Sequence, residues 1–190
     1  MRPLLPPLAS PLVDWLILGV TIAVLGMVAV FLSWSAGRLD RLHNRVETGR
    51  AALDAQLFHR SGVALEVAAT GVLDPATALV LLDAAHSARA ASGADREAAE
   101  SDLTRTLAAA FPDPVSVQAL RATPEDAALL EELAAACRKV ELARRFHNDT
   151  VASAVALRRR RLVRWFRLAG HSSPPPMVEM DDVPPRGLVA

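Results

Sequence analysis

Cysteine is nearly absent from this chain. Cys137 stands alone among 190 residues, so no internal disulfide can form, which fits a reducing compartment. Tyrosine is missing, aromatics are few, and of the 21 basic residues only Lys139 is a lysine. Outside the N-terminal apolar stretch, β-branched runs are scarce, while alanine and arginine, both good helix formers, are plentiful. Composition therefore excludes a disulfide-stapled or strand-rich domain and predicts an all-α chain. The familiar chemical signatures are missing too. There is no glycine-rich phosphate loop and no Gly-x-Ser-x-Gly elbow. The five histidines, His43, His59, His86, His147 and His171, do not pair with one another or with carboxylates at a metal-ligand spacing. Cys137 has Arg138 beside it, which can lower a thiol pKa, but no histidine partner in any motif. The sequence thus predicts no catalytic residue, no metal and no cofactor.

Charge is also missing from one long stretch. From Trp15 to Ala36 there is not a single charged side chain. About 20 apolar residues suffice to cross the hydrocarbon core of a bilayer as a helix. Trp15 and Trp34 bracket the run, roughly 28 Å apart at ~1.5 Å per residue, as an aromatic belt would. Residues 1–11 form a short proline-broken tail, and 12–34 a transmembrane helix. A cleaved signal peptide fits poorly, because its apolar region runs only about 7–15 residues and the best cleavage candidate carries the bulky Trp34. Only Arg2 precedes the span, whereas Arg38, Arg41, Arg45 and Arg50 follow it. The positive-inside rule then puts the N-terminus outside and the domain in the cytoplasm, a single-pass cell-membrane protein. Gly19, Ala23 and Gly26 share one face of the span, a spacing that can pack membrane helices but is also ordinary in them.

No helix breaker follows the span. Leu39, Leu42, Val46, Gly49 and Leu53 alternate steps of three and four, the seam of a bundle or coiled coil, and Leu57, Ala64, Leu65 and Ala68 continue it. One rod should therefore run from the membrane to about Gly71. Asp74-Pro75 starts a second helix, with Leu79, Leu82, His86 and Ala90 inward. Asp95 starts a third, with Leu103, Leu107, Ala110 and Phe111 inward, stopped by Phe111-Pro112-Asp113-Pro114. After a short loop, Thr123-Pro124-Glu125-Asp126 opens a long last helix, with Leu129, Leu133, Ala136, Val140, Ala143, His147 and Val151 inward. Residues 35–169 are thus expected to form an antiparallel four-helix bundle continuous with the transmembrane helix, and 170–190 a proline-rich disordered tail.

The last helix should bring its end back to the membrane. That end holds Arg158, Arg159, Arg160, Arg161, Arg164, Trp165 and Arg167. Leu162, Trp165, Phe166 and Ala169 share a face opposite Arg160, Arg164 and Arg167, as in a helix lying on a membrane. Each basic residue near anionic lipid gains about 1 kcal/mol. The competing readings are a solvated helix end, whose cations suit the helix dipole, and a nucleic-acid contact by arginine and aromatic rings. Return of the helix to the bilayer favours lipid.

Two polar clusters remain, Asp54, Gln56 and Arg60 on the first rod, and Arg144, Arg145, Asn148 and Asp149 on the last. Their expected use is hydrogen bonding between long helices. They also carry a family resemblance. Leu53-Asp54-Ala55-Gln56-Leu57-Phe58-His59-Arg60 resembles the Asp-x-Gln-Leu-x-x-Arg segment of the LemA family. Ala143-Arg144-Arg145-Phe146-His147-Asn148-Asp149 resembles its Ala-Arg-x-Phe-Tyr-Asn-Asp segment, and Pro176-Met177-Val178-Glu179 its Pro-x-Phe-Glu ending. The chain departs from the family at His147, at Cys137-Arg138 and at the arginine run, so the resemblance is to a divergent member. It implies a single-pass bundle protein of the bacterial cell envelope, with Asp54, Gln56, Leu57, Arg60, Ala143, Arg144, Phe146, Asn148 and Asp149 in structural roles and no catalytic residues. Members have been suspected of envelope, stress or signalling roles, sometimes beside membrane proteases. The expected function is a non-enzymatic interaction or scaffolding module. Its partners would be the bilayer, anionic lipid and a membrane or cytoplasmic protein, with homo-oligomers open. The alternatives are an accessory subunit of a membrane enzyme such as a protease, or an enzyme using Cys137 or a carboxylate site.

Overall fold

The computed structural model describes residues 11–159 and 176–188, and among them the chain is all-helical, with no strand. Helix α1 runs unbroken over Pro11–Ala69, followed by α2 (Pro75–Ala90), α3 (Asp95–Ala110), α4 (Pro114–Leu120) and α5 (Pro124–Arg158). At ~1.5 Å per residue, α1 is roughly 88 Å long. Its first third is bare: Val13–Phe31 has a mean hydropathy of 2.3 and none of it is buried. That one helix is long and apolar enough to cross a membrane. Trp15 and Trp34 are both exposed on it.

The helix starts follow local chemistry. Asp74 caps α2, its carboxylate accepting from the backbone N–H groups of Ala76 and Thr77, with Pro75 at the first position. Thr123 and Asp126 close a reciprocal capping box at α5. Gly71 turns the chain between α1 and α2 with φ +80°, a backbone angle that disfavours side chains. Where a loop is expected after Phe111, the structure has the short helix α4. Asp113 caps it by accepting from Val115 and Ser116, ahead of Pro114. The Asp-Pro pair that opens α2 is repeated here, but it sits within a proline cluster that reads as a helix stop.

Three apolar clusters hold the domain. Val46 of α1 meets Val151 and Ala154 of α5. Further along α1, Leu53 and Leu57 meet Val140. Beyond them Val63, Ala64 and Val67 join Leu130, Leu133 and Cys137 in the main core, together with α2, α3 and α4 residues. Partners on α5 therefore fall in number as those on α1 climb. In this order, the end of α5 lies toward the bare part of α1.

The inward stripe of α2 differs from expectation. Leu79 is 68% exposed, and His86 and Ala90 are also exposed, whereas Leu81, Ala85 and Ala88 are buried. The buried residues lie at i, i+4 and i+7, one helical face. Two of them are alanines, which let α2 approach its neighbours closely, and a stripe chosen by side-chain size misses that face. On α5, Leu130, Ala134 and Cys137 join the expected Leu133, Ala136, Val140, His147 and Val151, while Leu129 and Ala143 are half-buried. The stripe is wider there because residues from several elements surround it. The tail is a further correction. Residues 176–188 lie against the helices, with Val178, Asp182 and Leu188 buried. Proline richness argues against a tail folding alone. Here the helices supply the hydrogen-bond partners, and prolines reduce the disorder lost on docking.

The face assignment is testable by chemical unfolding of the full chain in detergent. Leu81→Ala should cost about 2–5 kcal/mol, and Leu79→Ala no more than about 0.5 kcal/mol.

Candidate functional site

Of the polar residues singled out from the sequence, Asp54, Arg60, Arg144 and Asn148 bind distant parts of the chain, in two layers. The inner layer is centred on Arg60, which is 1% exposed. Its Nη2 donates to Glu100 Oε2 at 2.7 Å and to the Glu100 carbonyl at 3.2 Å, and its Nη1 donates to Thr104 Oγ1 at 2.9 Å. A buried guanidinium needs such a partner, because removing an unpaired charge from water is prohibitive. Burial pushes the Glu100 carboxyl up, against the pull of Arg60. One turn and a half earlier on α1, Asp54 pairs with Arg96 of α3 at 3.2 Å and with Arg50 at 3.7 Å. Between the two pairs lies a cavity of about 20 Å³, bordered by Asp54, Arg96 and Glu100 and roofed by Val178 and Met180. That is room for about one water molecule, not for a substrate.

The outer layer is the tail. The Asn148 side chain accepts from the Val178 N–H at 2.9 Å and donates to the Val178 carbonyl at 3.0 Å. Arg144 grips Asp182 with two bonds, Nε to Oδ2 at 2.5 Å and Nη2 to Oδ1 at 2.8 Å, the strong fork geometry of arginine and carboxylate. From α3, Glu97 accepts from the Glu179 N–H at 3.2 Å and Ser101 from the Asp181 N–H at 3.0 Å. At the far end the Gly187 N–H donates to the Phe111 carbonyl at 3.1 Å. A Cβ on Gly187 would meet Val117 Cγ2 at 2.6 Å and backbone oxygens of Asp113 and Phe111 at 2.7 and 2.8 Å, so only glycine fits there.

Leu57 is buried and Ala143 half-buried in the cluster that also holds Val178. Gln56 is half-buried, Asp149 and Phe146 are exposed, and Arg145 pairs with Glu141. Arg158 ends α5 and Arg159 is its exposed C-cap. Arg160, Arg161, Arg164, Trp165 and Arg167 lie outside the described residues. His86 is exposed, with its Nδ1 near the Leu82 carbonyl at 3.0 Å. Cys137 is buried, and burial pushes its thiol up despite Arg60 and Arg138, so the expectation that arginine lowers it is corrected. Among the described residues no group of three His, Cys, Asp or Glu is placed to hold a metal.

Sequence reading missed Glu100, Thr104, Asp182 and the docking of Val178. One signal for the first pair was present. Glu100, Leu103, Thr104 and Leu107 share a helical face, and a glutamate in an apolar stripe signals a buried partner. No protein-family model, curated protein or solved structure matches this chain.

His147 lies between the layers. It is 2% exposed, lies against Gly49, whose added Cβ would sit 3.6 Å from His147 Nδ1, and has no well-formed hydrogen bond from either ring nitrogen among the described residues. Burial lowers its pKa from the ordinary 6.5, helped by Arg50, while the Pro176 carbonyl, Asp54 and Glu47 act the other way.

Two outcomes are expected. Arg60→Ala leaves Glu100 buried and unpaired, and should cost about 3–5 kcal/mol. The double change Arg60→Met with Glu100→Leu should recover most of it, read by chemical unfolding. For His147 the folded pKa is depressed, so above pH 6.5 both states are neutral and it contributes nothing. As pH falls below 6.5 the unfolded chain takes up the proton first and stability is lost. Melting midpoints from pH 7 to 5 should therefore fall more for the natural chain than for His147→Gln.

Proposed function

We propose that this protein is a divergent relative of the LemA family: a single-pass membrane protein presenting a cytoplasmic antiparallel four-helix bundle as a non-enzymatic interaction module, steadied by an arginine-rich end on anionic lipid. One observation carries the reading. Val151 and Ala154 of α5 pack on Val46 of α1, only 12 residues after Trp34, or about 18 Å of helix. The last turn of α5, which ends at Arg158, thereby continues toward the apolar end of α1, and the arginine run begins in the sequence at that residue, which supports a lipid contact. The bare apolar helix over residues 13–31 supports the anchor. The excess of arginine after the span supports a cytoplasmic domain. The polar seam is filled by ion pairs around a cavity of about 20 Å³, and this supports a binding role.

The family assignment rests on the two polar segments. Arg60, Arg144 and Asn148 each hold a distant part of the chain, which is the use expected of residues whose family role is structural. Val178, in the segment resembling the family's Pro-x-Phe-Glu ending, is held by Asn148 of the other motif.

Vesicle flotation of residues 36–190 tests the lipid contact. Anionic vesicles should recover several-fold more protein than neutral ones, with the difference shrinking in salt. Changing Arg158 to Arg161 to serine should remove it. Equal recovery from both vesicle types overturns the reading.

A further inference from the structure

Every tail contact described above is made by residues 176–188 with side chains or carbonyls of α1, α3, α4 and α5. The segment is specified at separate points. Val178 fills an apolar niche with Leu53, Leu57 and Val140. Asp182 answers Arg144. Gly187 fits where no Cβ can, and Leu188 joins the main core. Asn148 reads both polar groups of the Val178 backbone, as a neighbouring strand would, so it recognises an extended peptide rather than a side chain.

The connection does not dictate which groove the segment enters. From Asn148 to Arg159 α5 rises about 16 Å. The 16 residues 160–175 reach at most about 55 Å if fully extended, and about 35 Å if 160–169 continue as the helix read from the sequence, both longer than that distance. We propose that this groove is a peptide-binding site for residues 176–188 of a second copy of the chain, with the segment's own groove as the competing seat. A second copy supplies the same complementarity at every point, and exchange of an identical element between protomers is a low-cost route to association. If the chain is anchored as proposed above, the bilayer also holds grooves and tails of neighbouring copies at one height. The groove's fit does not depend on that reading.

Cross-linking of the full chain in bilayers tests this, with the buried Cys137 changed to Ala. Ser101 and Asp181 are in contact through the Asp181 N–H, so each position is substituted by cysteine. The double variant Ser101→Cys with Asp181→Cys, treated with a short bis-maleimide, should close within one chain. An equimolar mixture of tagged Ser101→Cys and untagged Asp181→Cys chains should give a tagged–untagged adduct. Arg144→Ala with Asn148→Ala on the tagged chain should lower that adduct about tenfold, the equivalent of ~1.4 kcal/mol, and excess synthetic 176–188 peptide should compete it away. The proposal is overturned if the double variant closes while the mixture gives no mixed adduct. It is equally overturned if the adduct ignores the groove substitutions, which marks random collision, or if the double variant itself fails to close. Failure of lipid binding in flotation leaves these outcomes unchanged, so the two readings fail separately.

Discussion

An arginine removed from water must be answered, and the answer here joins two helices. Arg60 is buried on α1, and its fork reaches a carboxylate, a hydroxyl and a carbonyl on α3. Once that pair forms, α3 cannot slide or rotate against α1 without leaving a charge unpaired in the interior, an outcome far costlier than a lost apolar contact. The pair sits where the main core meets the polar seam. Asp54 and Arg96 repeat the linkage nearer the N-terminal end of α1. Apolar packing supplies the driving force for collapse, but it tolerates small shifts in register. The ion pairs do not.

A second linkage of the same kind lies on the outside. Arg144 and Asn148 project from α5 one turn apart and hold Asp182 and Val178 of the tail. The tail covers the water-sized cavity and adds Val178 and Leu188 to the apolar clusters. Most of its hydrogen bonds are made through its backbone, from the N–H groups of Val178, Glu179, Asp181 and Gly187, while Val178 and Leu188 supply the apolar contacts. Such a segment is exchangeable, since the contacts belong to a short continuous stretch and not to a folded unit.

The two ends of the molecule contrast sharply. Toward the N-terminus α1 offers apolar side chains all round, and none of Val13–Phe31 is buried against the other described residues. Toward Gly71 it is enclosed by the core. A helix exposed in its apolar part and buried in its mixed part is unfavourable in water alone, because large contiguous apolar surfaces call for a cover. In the proposed setting lipid is that cover.

Features settled within a few residues were legible in the sequence: the charge-free stretch from Trp15, the unbroken α1, and the starts at Asp74-Pro75 and Thr123-Pro124. A cap bonds to N–H groups two or three positions away, and a span depends on an uninterrupted run, so neither needs the rest of the chain. The tertiary structure alone decided that α2 buries Leu81, Ala85 and Ala88 rather than Leu79, that Glu100 answers Arg60, and that the tail docks on α5. Those outcomes depend on atoms 40 and 38 positions away, as from Arg60 to Glu100 and from Arg144 to Asp182. Local periodicity carries no record of which distant group will arrive, because that is set by how the helices pack.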